Sequence, residues 1–259
     1  MAVIAAPPAH RTDLKTPVRN FYYYGKLLDV YHFQLETHYL NAKRHLLNRL
    51  VSGYGVVAGL DVEVGADPRH VILHPGLAID KWGREIVVPE TSAPLAIPPD
   101  VAQDAIDHPQ PGGGPKAGGV VRMLLCYHEC ESDPTPVLAG DCGTVDECKP
   151  GTIRERWRVA WKAGAAPPVH LGCQLPELIF NGQIDYQALA KWVSENVAEP
   201  AQDPCVPLAN VEVTAAGGHD CDPDRIDITI RPIVYTNDLL FEIILALLKP
   251  PTSDQRREK

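Results

Sequence analysis

The chain has no run of about 18 apolar residues, so nothing in it reads as a membrane-spanning helix. The opening MAVIAAPPAHRTDLK has no basic stretch ahead of its apolar residues and is not read as a secretory signal. The expectation is a protein made and kept in the cytoplasm, or assembled into a particle that is released without a signal. Positive charge is scarce: 24 Lys and Arg stand against 33 Asp and Glu, a net charge of −9, which repels phosphate backbones and disfavours broad nucleic-acid binding. Linear enzyme signatures are missing as well. There is no GxGxxG after a strand, no P-loop, no GxSxG and no HExxH, and the Gly53-x-Gly55 pair follows a helix, the wrong order for a dinucleotide fold. No repeat of 20–50 residues is present, which leaves solenoids and propellers unsupported.

Proline is what the sequence has in excess. Its 25 residues in 259 are nearly a tenth, against a usual ~5%. They argue against a helical bundle or a large doubly wound sheet and favour short strands with many turns. Hydrophobic residues make up 45%, enough for a core. Residues 1–18 read as a flexible arm. Phe21, Tyr22, Tyr23 and Tyr24 follow, either as a strand anchoring the N-terminus or as an exposed aromatic docking segment.

The clearest helix runs over about 30–51, with Asp29 as N-cap and Gly53 and Gly55 as the stop. At 100° per residue it carries two apolar stripes. Leu35, Tyr39, Ala42, Leu46 and Leu50 form one; Phe33, Leu40, Leu47 and Val51 form the other. Either the helix is wedged inside a single core, or the second stripe, with Phe33, Leu40 and Leu47, meets another subunit. After the helix the period becomes two. Val56–Val64, Val71–Leu73, Leu77–Ile79 and Glu85–Val88 read as strands of a small antiparallel module spanning 20–97. Residues 98–119, rich in Pro and Gly, read as a linker. A second β-rich module is expected over 120–248, with strands at Val120–Tyr127, Ile153–Trp161, Pro207–Val213 and Ile226–Ile230. Its helices are placed at Tyr186–Val197 and about 238–248, the latter capped by Asn237 or Asp238, and 249–259 read as a tail. The fold class is therefore α+β: two small β-rich modules, one long N-terminal helix and a C-terminal helix. Asp220, Asp222 and Asp224 read as a solvated turn, because a Ca²⁺ loop wants a downstream Glu and a turn glycine.

Seven cysteines is an odd number and no CxxC occurs. Cys126, His128 and Cys130 alternate, so a strand would project all three from one face, and Cys142 and Cys148 follow in a glycine-bearing loop. These five residues suit a structural Zn²⁺, one or two disulfides, or free thiols; Cys173, Cys205 and Cys221 are singletons able to supply a missing partner. Any zinc held by four protein ligands would be structural rather than catalytic.

One stretch resembles a family. Phe21-Tyr-Tyr-Tyr-Gly25-Lys-Leu-Leu-Asp29, Phe33, Glu36, Tyr39, His45-x-x-Asn48-Arg49-Leu50-x-x-Gly53-x-Gly55-Val56-Val57-x-Gly59-Leu60-x-Val62 and Pro75-Gly76-Leu77-Ala78-Ile79-Asp80-x-x-Gly83-Arg84-Glu85-Ile86 resemble uncharacterised proteins encoded in bacterial contractile injection system and phage tail-like gene clusters. Asp133-Pro134-x-Pro136, Ile153-Arg154-Glu155 and Asn237-Asp238-Leu239-Leu240 fit the same group, so the likeness spreads over about 20–245; Tyr54 stands where these relatives often carry Trp. The resemblance implies a non-enzymatic structural or accessory part of a tail-like particle: a baseplate-peripheral component, a fibre or fibre adaptor, or a cap-associated protein. Its expected partners are baseplate, tube, sheath or fibre subunits and further copies of itself. It transfers no catalytic residue. Two other readings compete with it: a metal-stapled module binding a receptor or carbohydrate, and a hydrolase of an envelope polymer.

Overall fold

The computed structural model describes residues 16–108, 118–136, 148–169, 179–180, 183–195, 201–214 and 220–248. Helix α1 (Val30–Leu47) starts where the sequence signals a start. The Asp29 carboxylate accepts the His32 N–H, and the His32 ring reaches back to the Asp29 N–H, a reciprocal cap that satisfies two otherwise orphaned donors. The helix continues through one π-helical turn, Asn48–Ser52, and ends at Gly53 with φ +79°. No residue of α1 is buried. The wedge reading is therefore corrected: α1 lies outside the core.

The expected single strand Val56–Val64 is two strands. Gly59 and Leu60 both have positive φ, +66° and +61°, and this corner divides β1 (Gly55–Gly59) from β2 (Val62–Val64). The partner segment divides at the same level into β3 (His70–Leu73) and β4 (Gly76–Ile79), with Pro75 accepting the Leu60 N–H. With β5 (Glu85–Val88) and β6 (Leu95–Ala96), two antiparallel sheets result, ordered β1-β4-β5 and β2-β3-β6. One hairpin thus feeds two layers, which is how strands turn a corner between packed sheets. Leu60, Val71, Leu73, Ala78, Ile86 and Val88 fill the space between them.

The expected linker begins as a helix. Pro99, with no N–H to lose, opens α2 (Pro99–Asp107), and Ala102 and Ala105 are fully buried. A side chain at Gly119 would collide with the Ala105 backbone, so this glycine sets how closely α2 lies on the next strand. That strand, β7 (Gly118–Pro136), pairs in one unbroken register with β8 (Cys148–Ala163). Two short strands, β9 (Ile179–Phe180) and β10 (Gln183–Ile184), pair with each other and are followed by α3 (Tyr186–Glu195). Strand β11 (Val206–Thr214) then joins β7, and β12 (Asp220–Asp227) completes a four-stranded antiparallel sheet ordered β12-β11-β7-β8. Asp220, Asp222 and Asp224, expected as a turn, therefore lie on a strand. Helix α4 (Asn237–Leu248) starts one residue before its expected cap: Thr236 Oγ1 accepts the Leu239 N–H.

The fold is α+β, as the sequence predicts. One continuous core holds it together: Val56 to Val88 of the first two sheets, Ala102 and Ala105 of α2, and Val121, Met123, Leu125, Val206, Leu208 and Val211 of the large sheet form a single cluster. One step beyond the Val206–Leu125 pair, Cys126 and Cys205 form a disulfide with Cα atoms 4.5 Å apart and 79 residues between them in sequence. Closing so long a loop restricts the unfolded chain, an effect of roughly 2–4 kcal/mol. The Cys126→Ser/Cys205→Ser variant, or the reduced protein, is expected to unfold at clearly lower urea concentration; an unchanged midpoint would contradict the cross-link.

Candidate functional site

The turn between β4 and β5, Asp80-Lys81-Trp82-Gly83-Arg84, ties three parts of the molecule together. Asp80 is completely buried. Its carboxylate accepts the backbone N–H of Trp82 and of Arg84 at 2.9 Å, and the Arg84 guanidinium at 2.7 Å through both Nε and an Nη. A buried carboxylate is tolerable only with its charge paired and its oxygens hydrogen-bonded, and both conditions hold here. The same guanidinium lies 4.7 Å from the Trp82 ring and 4.5 Å from the Tyr127 ring on β7. Trp82 Nε1 donates to the Ala201 carbonyl at 2.8 Å, and the Lys81 N–H to that of Pro204, beside the disulfide.

On its other side this turn carries α1. Asn48 Nδ2 donates to the Gly83 carbonyl at 2.9 Å and to Glu85 Oε1 at 2.8 Å, and Arg44 Nε lies 3.2 Å from Glu85 Oε2. Gly83 has φ +88°, and a Cβ there would strike the His45 carbonyl, so only glycine lets the helix sit so close. Burial pushes the His45 imidazole pKa below its ordinary 6.5, and the neighbouring Arg44 guanidinium pushes the same way. The helix is thus held at its C-terminal end. At the other end Asn20 Nδ2 donates to the His32 carbonyl at 2.6 Å, and the Tyr22 hydroxyl donates to Glu36 at 3.3 Å, folding residues 16–29 back along α1.

The apolar groups on this projection face solvent. Phe21, Tyr22, Tyr23 and Tyr24 are 79, 56, 62 and 106% exposed and form no strand. On α1, Leu35, Tyr39 and Leu46 of the first stripe are half-buried, whereas Phe33, Leu40 and Leu47 are 64, 60 and 61% exposed. Helix α4 carries Asp238 and Glu242 on one side and is otherwise apolar, yet it buries no residue; Phe241, Ile244, Leu247 and Leu248 all stand open. The apolar face of a soluble helix is normally covered. Both helices spring from one place: the Val56 N–H donates to the Pro232 carbonyl and the Val234 N–H to the Val56 carbonyl. The spot is marked by an open depression of about 420 Å³ lined by Tyr54, Val169, Arg231, Ile233 and Tyr235, among others. A second depression, of about 560 Å³, runs from Val87 and Ser92 to Glu155 and Trp157. Among the described residues neither lining contains a histidine or a cysteine.

The four described members of the five metal-type residues do not come together as a metal site. Cys126, His128 and Cys130 do share β7, but Cys126 is buried in its disulfide, while His128 and Cys130 are exposed. Opposite the three stand Arg158, Arg156 and Arg154, a row of positive charge that is unfavourable for a bound cation. Cys148, exposed with a free thiol, pairs with Pro136 farther out; Cys142 and Cys173 lie outside the described residues. Among the described residues no group of three His, Cys, Asp or Glu is placed to hold a metal, and no helix is long and apolar enough to cross a membrane. The sequence pattern did not mark the Asp80–Arg84 pair as a hub; a D-x-x-G-R turn between two strands was its only signal.

No protein-family model and no curated protein matches the chain. Solved structures similar to it include the following two. The crystal structure of TssK aligns over 93% of this chain and 52% of its own, at 15% identity and TM-score 0.41. A chain of the TssK-TssF-TssG baseplate subcomplex of the type VI secretion system aligns over 80% of this chain and 60% of its own, at 12% identity and TM-score 0.38. The chain thus spans little more than half the length of either.

Two predictions follow from the geometry of the turn. Asp80→Ala leaves the Arg84 guanidinium half-buried without its carboxylate and is expected to cost roughly 3–5 kcal/mol in urea unfolding; a loss below about 1 kcal/mol would refute the hub. Because the folded His45 value lies below the unfolded one, the unfolded chain takes up the proton first. Stability from this group is present above about pH 6.5 and is lost as the pH falls through that value. His45→Gln is expected to flatten the loss in thermal melts taken between pH 7.5 and 5.5.

Proposed function

We propose that this chain is a non-enzymatic structural subunit of a phage tail-like contractile injection particle, a baseplate-type component acting through protein–protein contacts. The observation that carries the reading is the uncovered apolar projection: α1 with Phe33, Leu40 and Leu47, and the aromatic segment Phe21–Tyr24 folded along it. Burying such a side chain is worth roughly 1.5–3 kcal/mol, so an isolated monomer forgoes several contacts of this size. A helix held at its root and reaching outward presents them where a neighbour can cover them. The sequence likeness to proteins of tail-like gene clusters includes Phe21–Tyr24 and Phe33 of these residues. In this reading Phe33, Leu40 and Leu47 form the assembly stripe, Phe21–Tyr24 dock beside it, and the partners are other particle proteins together with further copies of this chain.

The residues concerned are exposed, so changing them should leave the fold intact, within about ±0.5 kcal/mol. Leu40→Asp/Leu47→Asp is expected to keep the wild-type circular dichroism and melting behaviour. It should nevertheless lose co-purification with sheath, tube and baseplate proteins by at least about tenfold, the equivalent of 1.4 kcal/mol. A wild-type chain that is strictly monomeric and absent from purified particles would overturn the reading.

A further inference from the structure

Beyond Tyr127 the β7–β8 pair leaves the sheet and continues as a two-stranded ribbon to Pro136 and Cys148. All of its residues on either strand are exposed or only partly covered, from His128 to Pro136 and from Cys148 to Arg156. Directly opposite residues share a face, and successive residues alternate. The inward face is identified by Tyr127 and Trp157, a cross-strand pair that packs on the core. Continuing outward, that face carries Glu129 opposite Glu155, and then Glu131 opposite Ile153. The other face carries Arg158, Arg156 and Arg154, opposite Cys126, His128 and Cys130. One ribbon therefore has an acidic side and a basic side.

Each side is unfavourable alone. Glu129 and Glu155 are like charges in direct opposition, and the arginines repeat at every second residue with the His128 imidazole among them. Asp133 relieves the outermost arginine only. Its φ of +55° departs from the strand and swings its carboxylate to the basic side, where it accepts from Thr152 and, at 2.9 Å, from Arg154. Those two contacts hold the Asp133 pKa below the ordinary carboxylate range, that of Thr152 more strongly. Among the described residues Glu129 holds only the Tyr127 hydroxyl, at 2.9 Å.

The geometry points to the ribbon as a self-complementary docking element, in which the acidic side of one copy lies on the basic side of a second copy of this chain. Glu129 and Glu131 repeat along their strand at about 6.7 Å, the pitch at which Arg154, Arg156 and Arg158 repeat along theirs. Charge thus meets opposite charge at matched spacing. The net charge of −9 keeps copies apart elsewhere, so a basic row on so acidic a chain selects the acidic side of its own neighbour. Each ribbon face measures only about 300 Å², taking strand spacing and rise together. A stable interface needs about 800 Å² per partner, so the ribbon sets neighbour and register and yields a weak, salt-sensitive contact. Acidic side on basic side is a head-to-tail contact, which closes into a ring or extends as a filament. None of this rests on the particle reading.

The test uses the full chain and two charge-reversed variants of exposed residues, Arg156→Glu/Arg158→Glu and Glu129→Arg/Glu131→Arg, in sedimentation velocity at 50 and 500 mM salt. Wild type is expected to self-associate at low salt and to lose that association at high salt. Each variant alone should associate at least tenfold more weakly. An equimolar mixture should recover association and continue past the heterodimer as alternating copies, because both faces of the first variant are then acidic and both faces of the second basic. Leu40→Asp/Leu47→Asp should retain the salt-sensitive contact, which separates this inference from the apolar assembly stripe. Wild-type association in either variant would overturn the proposal, as would a mixture no tighter than its components. Loss in the arginine variant alone would place the basic row on a different acidic surface of the second copy and would equally overturn the ribbon-on-ribbon contact.

Discussion

The buried pair Asp80–Arg84 is the interaction on which the rest of the structure leans. A fully buried carboxylate is costly, and this one is tolerated because two backbone N–H groups and a bidentate guanidinium converge on it. The convergence forces the five-residue turn into one shape. That shape aims the Trp82 indole at Ala201, lays Arg84 against Tyr127, and leaves at Gly83 the gap into which the His45 carbonyl fits. The large sheet, the 201–205 segment and α1 are thereby fixed relative to the small sheets by a single turn. The Cys126–Cys205 bond stands close to the same junction and reinforces it covalently.

From that anchored junction the molecule extends outward in three directions, and the surfaces differ in kind. Helix α1 and the aromatic segment offer apolar area without charge selectivity, which supplies affinity. The ribbon offers ordered charge with little apolar area, which supplies orientation and salt sensitivity. Helix α4 is apolar except for the side that holds Asp238 and Glu242, and it begins beside the root of α1. The core is continuous and well filled while the outer elements stay uncovered, and the proposed role as a subunit is the reading that gives those projections neighbours.

Much of this was legible in the chain. Asp29 and Gly53 bracket the long helix, and the structure places its ends there. On that helix Leu35, Tyr39 and Leu46 of the first stripe are half-buried while the second stripe stands open, although periodicity alone leaned towards a wedged helix. The strands were located within a few residues, but their lengths were not. β7 and β8 extend well past Tyr127 and Trp157 because cross-strand pairing continues after the apolar alternation that marks a strand in sequence has stopped. The same limitation hid α2: proline density suggested a linker, yet Pro99 occupies the one helical position where proline costs nothing.

Sequence by itself determined the α+β class, the positions of α1, α3 and α4, the excess of punctuating proline, and the presence of more apolar surface at Phe33, Leu40 and Leu47 than one face of a helix needs. These are local properties, written in periodicity, capping residues and turn chemistry. Tertiary structure alone decided that Cys126 joins Cys205 rather than its neighbours in sequence, that the run from Val56 to Val64 breaks at Leu60 into two sheets, and that the ribbon carries glutamates on one side and arginines on the other. Each of those depends on which strand lies beside which, and in what register. A one-residue shift in pairing moves every side chain to the opposite face, and that choice is made by the packing of the whole core rather than by any segment of the chain.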